Sequence, residues 1–376
     1  MGIESNWCSC TKCHAGYGWE DDSFDFTDKS GIDCLVCHDT TGTYAENKGS
    51  CGYPDDSVDL AEAAKSVGKP DRGNCGSCHW YGGGGNNVKH GDMGKALADP
   101  ARKLDVHMGG LGFQCQDCHT ARNHKISGKS NTSSVTEGTV SCTDCHEKRP
   151  HNASSPLLDE LNDHCDALSC QVCHIPEYAR AAKTTTLWDW SKSGEENKVL
   201  EQTDDMEKVL SRKKGLMVRK SNLTPHYAWY NGKHKRYLNG DPVNPDGVTQ
   251  LNPPQGDITD PEAKIAPYKL MHGVEPADAE LHHLIVPKLF GEGGYFETYD
   301  WQQSAEKGMA AAGLDFSGEI TFVKTVMHWR LNHQVAPARQ ALSCLDCHGS
   351  EGVMDFRALG YDGDPAAVGG RRAESE

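Results

Sequence analysis

The sequence predicts a mainly α-helical chain with much irregular structure, interrupted by one long insertion of loops and hairpins. Three observations lead to this expectation. Apolar residues make up 36% of the 376 residues and glycine contributes 40, so side chains alone do not supply an ordinary core. A short cysteine–histidine motif recurs in segments with room only for brief helices and loops. Before its last copy lies a long stretch rich in proline and turn pairs, which is typical of hairpins and ordered loops.

The recurring motif is C-x-x-C-H, and it occurs seven times. Its cysteines are Cys10, Cys13, Cys34, Cys37, Cys75, Cys78, Cys115, Cys118, Cys142, Cys145, Cys170, Cys173, Cys344 and Cys347. The histidines that follow are His14, His38, His79, His119, His146, His174 and His348. This pattern is that of covalent c-type haem attachment, in which each cysteine pair forms thioethers and the histidine ligates iron. Zinc ribbons do not require a histidine after every second cysteine, and disulfide scaffolds are mostly short chains.

Seven haem c groups also account for the small apolar content. Each porphyrin is a large apolar plate, and chain packed around it buries apolar area at about 25 cal/mol per Å². We therefore expect a multihaem cytochrome c fold organised around stacked haems. Cys8, Cys51 and Cys165 remain outside the motifs, and a slipped attachment through Cys8 is an alternative for the first haem.

The motif spacing predicts four regions. Residues 1–180 contain six motifs and form a haem-dense segment. Residues 181–303 form the insertion, and residues 304–359 form a helical segment that leads to the last haem. Residues 360–376 are expected to be disordered. The tetraglycine Gly82–Gly85 lacks the residues of a phosphate loop, so it favours either a close approach of backbone to a porphyrin or a flexible turn.

Electron-transfer haems commonly take a second strong axial ligand, whereas catalytic haems keep a site that can open. Six histidines near the haem segments are candidates for distal ligands: His90, His107, His124, His151, His164 and His333. His124 and His151 each follow a motif histidine by five residues. This link is too short to wrap around the same porphyrin, so they are expected to ligate neighbouring haems. Six histidines for seven haems leave one haem with an unusual site.

Composition and patterning exclude several other functions. A formal charge of −16 argues against a nucleic-acid partner, which needs a basic face. No run of 18 or more apolar residues is present, so no membrane span is predicted. The first residues lack the basic and apolar regions of a signal peptide.

Several longer stretches resemble the octahaem tetrathionate reductase-type cytochromes, which are related to pentahaem nitrite reductase and octahaem hydroxylamine oxidoreductase. They are "CTKCHAGYGWEDDSFDF", "DCLVCHDTTGTY", "NCGSCHWYGGGGNNVKHGD", "CQVCHIPEYAR" with "WDWS", and "NHQVAPARQALSCLDCH". The resemblance runs from about Asn6 to His348. It implies eight haems in a full-length relative, and an earlier haem motif and signal peptide upstream of Met1. A genuine seven-haem protein is the alternative.

The resemblance also implies that the haem ligated by His14 is the catalytic one and that its distal ligand is a lysine. Lys69 and Lys65, which precede Cys75, match the expected place, and Lys69 is slightly favoured. A lysine at its ordinary pKa of about 10.4 is mostly protonated, so it dissociates from iron more readily than imidazole does.

The resulting expectation is a periplasmic reductase that receives electrons from a redox partner, either a cytochrome or a quinol-linked donor. Its substrate would be a small anionic or polar species: nitrite, hydroxylamine or tetrathionate. Such reductions need proton donors, for which His226, Tyr227 and His234 are candidates, and the basic run "SRKKGLMVRK" could attract an anion. The alternatives are a non-catalytic electron-transfer protein and a hydroxylamine-oxidising enzyme.

Overall fold

The structure is a computed structural model that describes residues 4–11, 13–47, 49–127, 140–151 and 155–371. Its α-helices are α1 Trp7–Thr11, α2 Leu35–His38, α3 Leu60–Lys65, α4 Arg72–His79, α5 Cys115–Cys118, α6 Pro156–Ala167, α7 Gln171–His174, α8 Tyr295–Thr298, α9 Trp301–Ala311, α10 Cys344–Cys347 and α11 Pro365–Val368. Its strands are β1 Ala121–Arg122, β2 Lys125–Ile126, β3 Thr184–Asp189, β4 Lys198–Gln202, β5 Met206–Ser211, β6 Gly215–Lys220, β7 His226–Tyr230, β8 Val248–Gln250, β9 Lys264–Asp278 and β10 Ile320–Arg330.

The predicted mainly α-helical class is wrong. Helix accounts for 22% of the chain and strand for 21%. The strands from residue 184 onward form one mixed sheet of eight strands, in the order β4-β5-β6-β3-β9-β10-β8, with β7 paired to β9. The insertion therefore holds a continuous sheet in place of separate hairpins and loops.

The centre of the sheet is the antiparallel pair β9–β10. Its register runs from Asp278 opposite Ile320 to Tyr268 opposite Arg330. β7 pairs with the first residues of β9, from Tyr230 opposite Lys264 to His226 opposite Tyr268. This arrangement brings the insertion and the segment before the last motif into one layer.

Residues 320–330 were expected to be helical, and this expectation is also wrong. The stretch begins "ITFVKTV", in which β-branched residues are frequent, and such residues favour strands because they pack well on a pleated surface. Helix α9 does form within the segment predicted to be helical. The tail was expected to be disordered, but residues 360–371 are placed and contain α11; residues 372–376 lie outside the described residues.

The haem-dense segment consists of short helices joined by turns. In five motifs the backbone N–H of the histidine donates to the carbonyl of the first cysteine, as in His38 to Cys34 at 3.0 Å and His119 to Cys115 at 2.8 Å. A single helical turn thus places both thiols of a motif on one side, since residues three apart lie on the same helix face.

The chain by itself is unusually open. Its accessible surface is 20853 Å² for a mass of 41.0 kDa, whereas a compact monomer of that mass exposes roughly 15,000 Å². Several motif histidines and thiols are exposed in the haem-free chain, including His79, His119 and Cys34. Haem groups placed between the segments would cover this excess surface.

Candidate haem row and its first motif

The motifs succeed one another in space in the same order as in the chain. Asp33, which precedes Cys34, donates its N–H to the carbonyl of Ala15, which follows His14, at 3.1 Å. The first and second motifs are therefore neighbours. Burial raises the pKa of the Cys37 thiol, and the third-motif thiol of Cys75 raises it further.

The row continues through the remaining motifs. The thiol of Cys115 raises the pKa of the Cys75 thiol, so the third and fourth motifs are neighbours. In the same way, the thiol of Cys170 raises the pKa of the Cys142 thiol, so the fifth and sixth motifs are neighbours.

Electrostatic contacts supply the two remaining links. The thiol of Cys118 lies within electrostatic reach of Cys145, which connects the fourth motif to the fifth. That of Cys173 lies within reach of Cys347, which connects the sixth motif to the last.

Histidine pairs bridge the gaps between these segments. The ring centroids are 6.1 Å apart in His38–His124, 6.2 Å in His107–His146, 6.3 Å in His119–His333 and 6.1 Å in His164–His348. Two imidazoles that ligate one metal from opposite sides have ring centres about 6 Å apart, because each metal–nitrogen bond is about 2 Å. Each pair joins one motif histidine to one histidine chosen from the sequence as a distal ligand, so the chain fits haem at these four places.

The other two candidates are placed less directly. His151 acts electrostatically on the sixth-motif histidine, His174. The His90 ring packs against Trp329, with centroids 4.7 Å apart. Within the described residues, no group of three or more His, Cys, Asp or Glu side chains is arranged to hold a free metal ion.

Two of these histidines hydrogen-bond to backbone carbonyls through their second ring nitrogen. The Nδ1 of His38 lies 2.8 Å from the carbonyl oxygen of Gly68, and the Nδ1 of His164 lies 2.8 Å from that of Glu160. Such partners fix the ring orientation and the tautomer, which leaves Nε2 free for a metal.

Two others have carboxylate partners. The Nδ1 of His348 lies 2.6 Å from Oδ1 of Asp364, whose Oδ2 accepts the N–H of Gly349. The Nδ1 of His333 lies 3.3 Å from Oδ2 of the buried Asp92. A carboxylate raises the basicity of a ligating imidazole more than a carbonyl does.

The environment of His14 is different. Its ring is packed by Trp19, Phe24 and Phe26, with centroids 5.1, 5.5 and 5.7 Å away. Its Nδ1 is buried and has no hydrogen-bond partner among the described residues.

A disulfide secures the segment that carries the first motif. Cys8 in α1 is bonded to Cys51, which leaves Cys10 and Cys13 for the haem. Gly52 has φ +93°, and a Cβ on it would lie 2.0 Å from the carbonyl oxygen of Gly16. A glycine is required there, because the turn after Cys51 lies directly on the backbone that follows His14.

Lys89 is the lysine that the structure brings to the first motif. Burial lowers its pKa, whereas the thiols of Cys13 and Cys10 raise it. In a protein with attached haem these sulfurs are uncharged thioethers, so the effect of burial prevails. The Lys89 side chain passes over Gly83, where a Cβ would lie 2.6 Å from Lys89 Cγ. The tetraglycine therefore leaves room for this lysine.

Lys65 and Lys69, the two lysines chosen from the sequence, are both exposed. Gly68, beside Lys69, contacts the second-motif histidine, and neither lysine acts on the first-motif thiols as Lys89 does. Lys89 was missed because it directly precedes His90, a residue already chosen as a ligand. The adjacent tetraglycine was the available signal, since four glycines leave space for a neighbouring side chain.

The proposed proton donors are not grouped around the first motif. Tyr227 packs in a cluster with Cys347 of the last motif. The His226 ring lies 6.1 Å from that of His328, and the His234 ring lies 4.8 Å from that of Tyr230.

The basic run does approach the tetraglycine. Lys214 donates to the carbonyl of Gly84 at 2.9 Å, and its Nζ lies 5.9 Å from the centre of the Trp188 ring. One cation of the run therefore lies beside the loop that carries Lys89.

Comparisons with known proteins agree with an arrangement of paired histidines that fits haem. The solved structure of the octahaem cytochrome c from Shewanella oneidensis is 43% identical and superposes with a TM-score of 0.89, over 97% of this chain and 83% of that chain. The chain belongs to the octahaem cytochrome c family. The resemblance inferred from the sequence is thereby confirmed, and this cytochrome binds haem c covalently and has a role in electron transfer.

Two further matches are shorter. The family model "Cytochrome c bacterial" matches residues 185–351 of the cytochrome. An uncharacterized protein of Archaeoglobus fulgidus is 31% identical over 159 residues, which are 37% of this chain and 52% of that protein. The match thus spans about half the length of this relative. No helix in the described part of the cytochrome is long and apolar enough to cross a membrane.

Proposed function

We propose that this cytochrome is a periplasmic reductase in which seven covalently attached haems form a row that ends at a reactive haem on Cys10 and Cys13. His14 is the proximal ligand of that haem and Lys89 is its exchangeable distal ligand. The approach of Lys89 to both first-motif thiols is the observation that carries this proposal. We assign to Lys89 the role of distal ligand that the sequence analysis predicted for Lys69 or Lys65.

The other six haems take two histidines each. Four pairs follow from the ring separations given above, and His151 is assigned to His174. His90 is then left for His79. All six histidines chosen from the sequence are used, and the seventh haem, for which the sequence offered no histidine, receives the lysine.

The chain's own residues favour exchange at the first motif. A buried lysine with a lowered pKa is more often a neutral amine, which can ligate iron and which protonation releases. The unpartnered Nδ1 of His14 makes that imidazole a weaker donor than one paired with a carboxylate. The haem, when bound, supplies the redox chemistry.

The substrate class is a small nitrogen or sulfur species. Lys214, beside Gly84, provides a positive charge that attracts an anion against the negative charge of the whole protein. Tetrathionate would take up two electrons, its central S–S bond would break, and two thiosulfate ions would leave without proton uptake. Nitrite would need six electrons and eight protons to give ammonium and water. The electrons come from a cytochrome or a quinol-linked donor.

The test replaces Lys89 with leucine in the haem-loaded protein. We expect the absorption and magnetic circular dichroism of one haem to change, carbon monoxide to bind faster at that haem, and tetrathionate, nitrite or hydroxylamine reduction to change with it. Lys95→Leu, at an exposed lysine just beyond the same loop, is the matched control.

Lys69→Leu and Lys65→Leu are the competing variants. If one of them alters a single haem while Lys89→Leu does not, the ligand expected from the sequence is correct and Lys89 is not the ligand. If none of the three variants changes the spectrum of a haem, the reactive site is absent and the protein is a non-catalytic electron-transfer protein.

A further inference from the structure

A fully buried lysine holds the backbone of the loop that carries Lys89. Lys269, in β9, has no exposed surface. Its Nζ donates to the carbonyls of Val88 and Lys89, both at 2.6 Å, and to Oγ1 of Thr184 at 2.5 Å. A protonated lysine amine has three N–H donors and no acceptor, so these three oxygens match the donors of the protonated form.

The third acceptor, Thr184, also bonds to the loop that carries Lys89. The Thr184 hydroxyl, in β3, donates to the carbonyl of Asn87 at 2.6 Å, which leaves a lone pair for Lys269. The Asn87 side chain donates to the carbonyl of Ala182 at 2.8 Å. The residues just before Lys89 are therefore fixed to β3 and β9 together.

The loop packs on β9 and β10, where Lys269 lies directly opposite Trp329. The ring of Trp329 lies 4.7 Å from the ring of His90 and 5.6 Å from Nζ of Lys89. At the far end of the loop, Asp92 accepts the backbone N–H groups of Asn332 and His333 at 2.7 and 2.9 Å. One end of the loop is thus bonded to the sheet and the other to the segment that directly follows β10.

The cost of burying Lys269 shows that its position matters. Burial lowers its pKa strongly, and the nearby carboxylate of Asp92 acts in the opposite direction. A buried ammonium is tolerated only where its hydrogen bonds are complete. Removing it would leave the part-buried carbonyl of Lys89 without this donor and the carbonyl of Val88 with only the Thr184 hydroxyl at 3.3 Å, and such groups are costly to leave unpaired.

We propose that Lys269 is a positioning residue: its Nζ fixes the carbonyls of Val88 and Lys89 so that the Lys89 amine stays at the first haem. This inference rests on the proposed ligation by Lys89. It also explains why the insertion contacts the haem-dense segment at Val88 and Lys89. Lys269 comes from the central strand β9 and bonds to a loop between two haem motifs.

The test is Lys269→Met in the haem-loaded protein, which keeps a side chain of similar length without donors. We expect the first haem to lose its amine-ligated spectrum in part, and carbon monoxide to bind there faster by about tenfold or more, the change that corresponds to roughly one lost hydrogen bond. Thr184→Val, which leaves both carbonyl contacts intact, should shift the rate in the same direction by less.

The matched control is Lys264→Met, at a lysine on the same strand whose Nζ donates to the carbonyl of Cys165 at 2.5 Å. It should leave the first haem unchanged. Haem content and the spectra of the six histidine-ligated haems report whether each variant has folded.

A double variant separates positioning from general stabilisation. If Lys269 acts through Lys89, the double variant with Lys89→Leu and Lys269→Met should bind carbon monoxide at the rate of Lys89→Leu alone. The effects of two substitutions within one interacting unit are not additive. Additive rates, or an unchanged first-haem spectrum in Lys269→Met when Lys89→Leu does alter it, overturn the positioning role and leave the ligand assignment intact. An unchanged spectrum in Lys89→Leu overturns both.

Discussion

In the part of the chain that holds the first six motifs, helices are 4 to 12 residues long, and the contacts between segments pass through histidine pairs and thiols. From residue 184 to residue 330 the chain instead forms one eight-stranded sheet, whose longest strand, β9, has 15 residues. Each of the five core clusters among the described residues includes a residue beyond position 180. Most of the buried cluster residues lie from residue 184 onward, whereas residues 1–180 contribute few, such as Val172 and Ile175.

This difference also separates the tasks of the two regions. In the proposed arrangement, the haem-dense segment provides six of the seven attachment sites and most of the distal histidines. The sheet supplies the parts that need rigid placement, including Lys269 under the Lys89 loop and the strand that leads to His333. Sites that stand on rigid elements hold their geometry better than sites on loops.

The largest effect is expected when the haems are withheld. Isolated helices of one or two turns are marginal in water, so a haem-free full-length chain should lose its motif helices and keep its sheet. Hydrogen exchange measured by mass spectrometry should show slow exchange in β9 and β10 and fast exchange in α4 and α5. The haem-loaded protein, in which all four elements should be protected, is the reference. Equal protection of helices and sheet without haem would show that the comparison is wrong.

The sequence was sufficient where the signal is local. A C-x-x-C-H motif lies within five consecutive residues, so its chemistry could be identified without a fold. The distal histidines were harder, because their partners are far along the chain; His333 lies opposite His119. Counting them still predicted one haem with an unusual ligand.

The sequence failed where a tertiary contact decides the outcome. Local sequence does not separate Lys89, which follows the third motif, from Lys69, which precedes it, and the placement of the Lys89 loop against β9 is what favours Lys89 in the proposed assignment. The strand at 320–330 was assigned as helix although β-branched residues begin it, because the preceding segment is a helix. Its partner, β9, begins more than 50 residues earlier in the chain, so no local pattern reveals the pairing.

A smaller effect, confined to the sheet region, is expected from Met309→Ala. Met309 is fully buried and packs in a cluster with Ile285, Val286 and Ala305. Truncation of a buried methionine costs about 2–5 kcal/mol of stability, which hydrogen exchange in α9 should report as a lower opening free energy. Leu281→Ala, at a leucine that is 48% exposed, is the control. The haem spectra should not change, and a change in any of them would mean that the two regions are not supported independently.

The smallest effect, confined to one haem, is expected from Asp364→Asn. The Asp364 carboxylate lies 2.6 Å from Nδ1 of His348, the proximal ligand that we assign to the last haem. A carboxylate partner makes the imidazole a stronger donor and so stabilises oxidised iron. With a neutral amide in its place, the midpoint potential of that haem should rise, so that at a fixed potential its ratio of reduced to oxidised form increases by about tenfold, or 59 mV for one electron.

Spectroelectrochemical titration of the haem-loaded protein measures this shift against Asp355→Asn, a control in the same segment whose Oδ1 accepts only the local N–H of Ala358 among the hydrogen bonds described. Since the last motif lies at the opposite end of the row from Cys10, a low potential there would make it the haem from which electrons leave most readily toward the reactive end. If Asp364→Asn leaves every midpoint unchanged, the carboxylate serves only to cap α11, where it also accepts the N–H of Ala366 at 2.9 Å. If several midpoints move together, the haems at this end are coupled too strongly for one axial ligand to set the direction of flow.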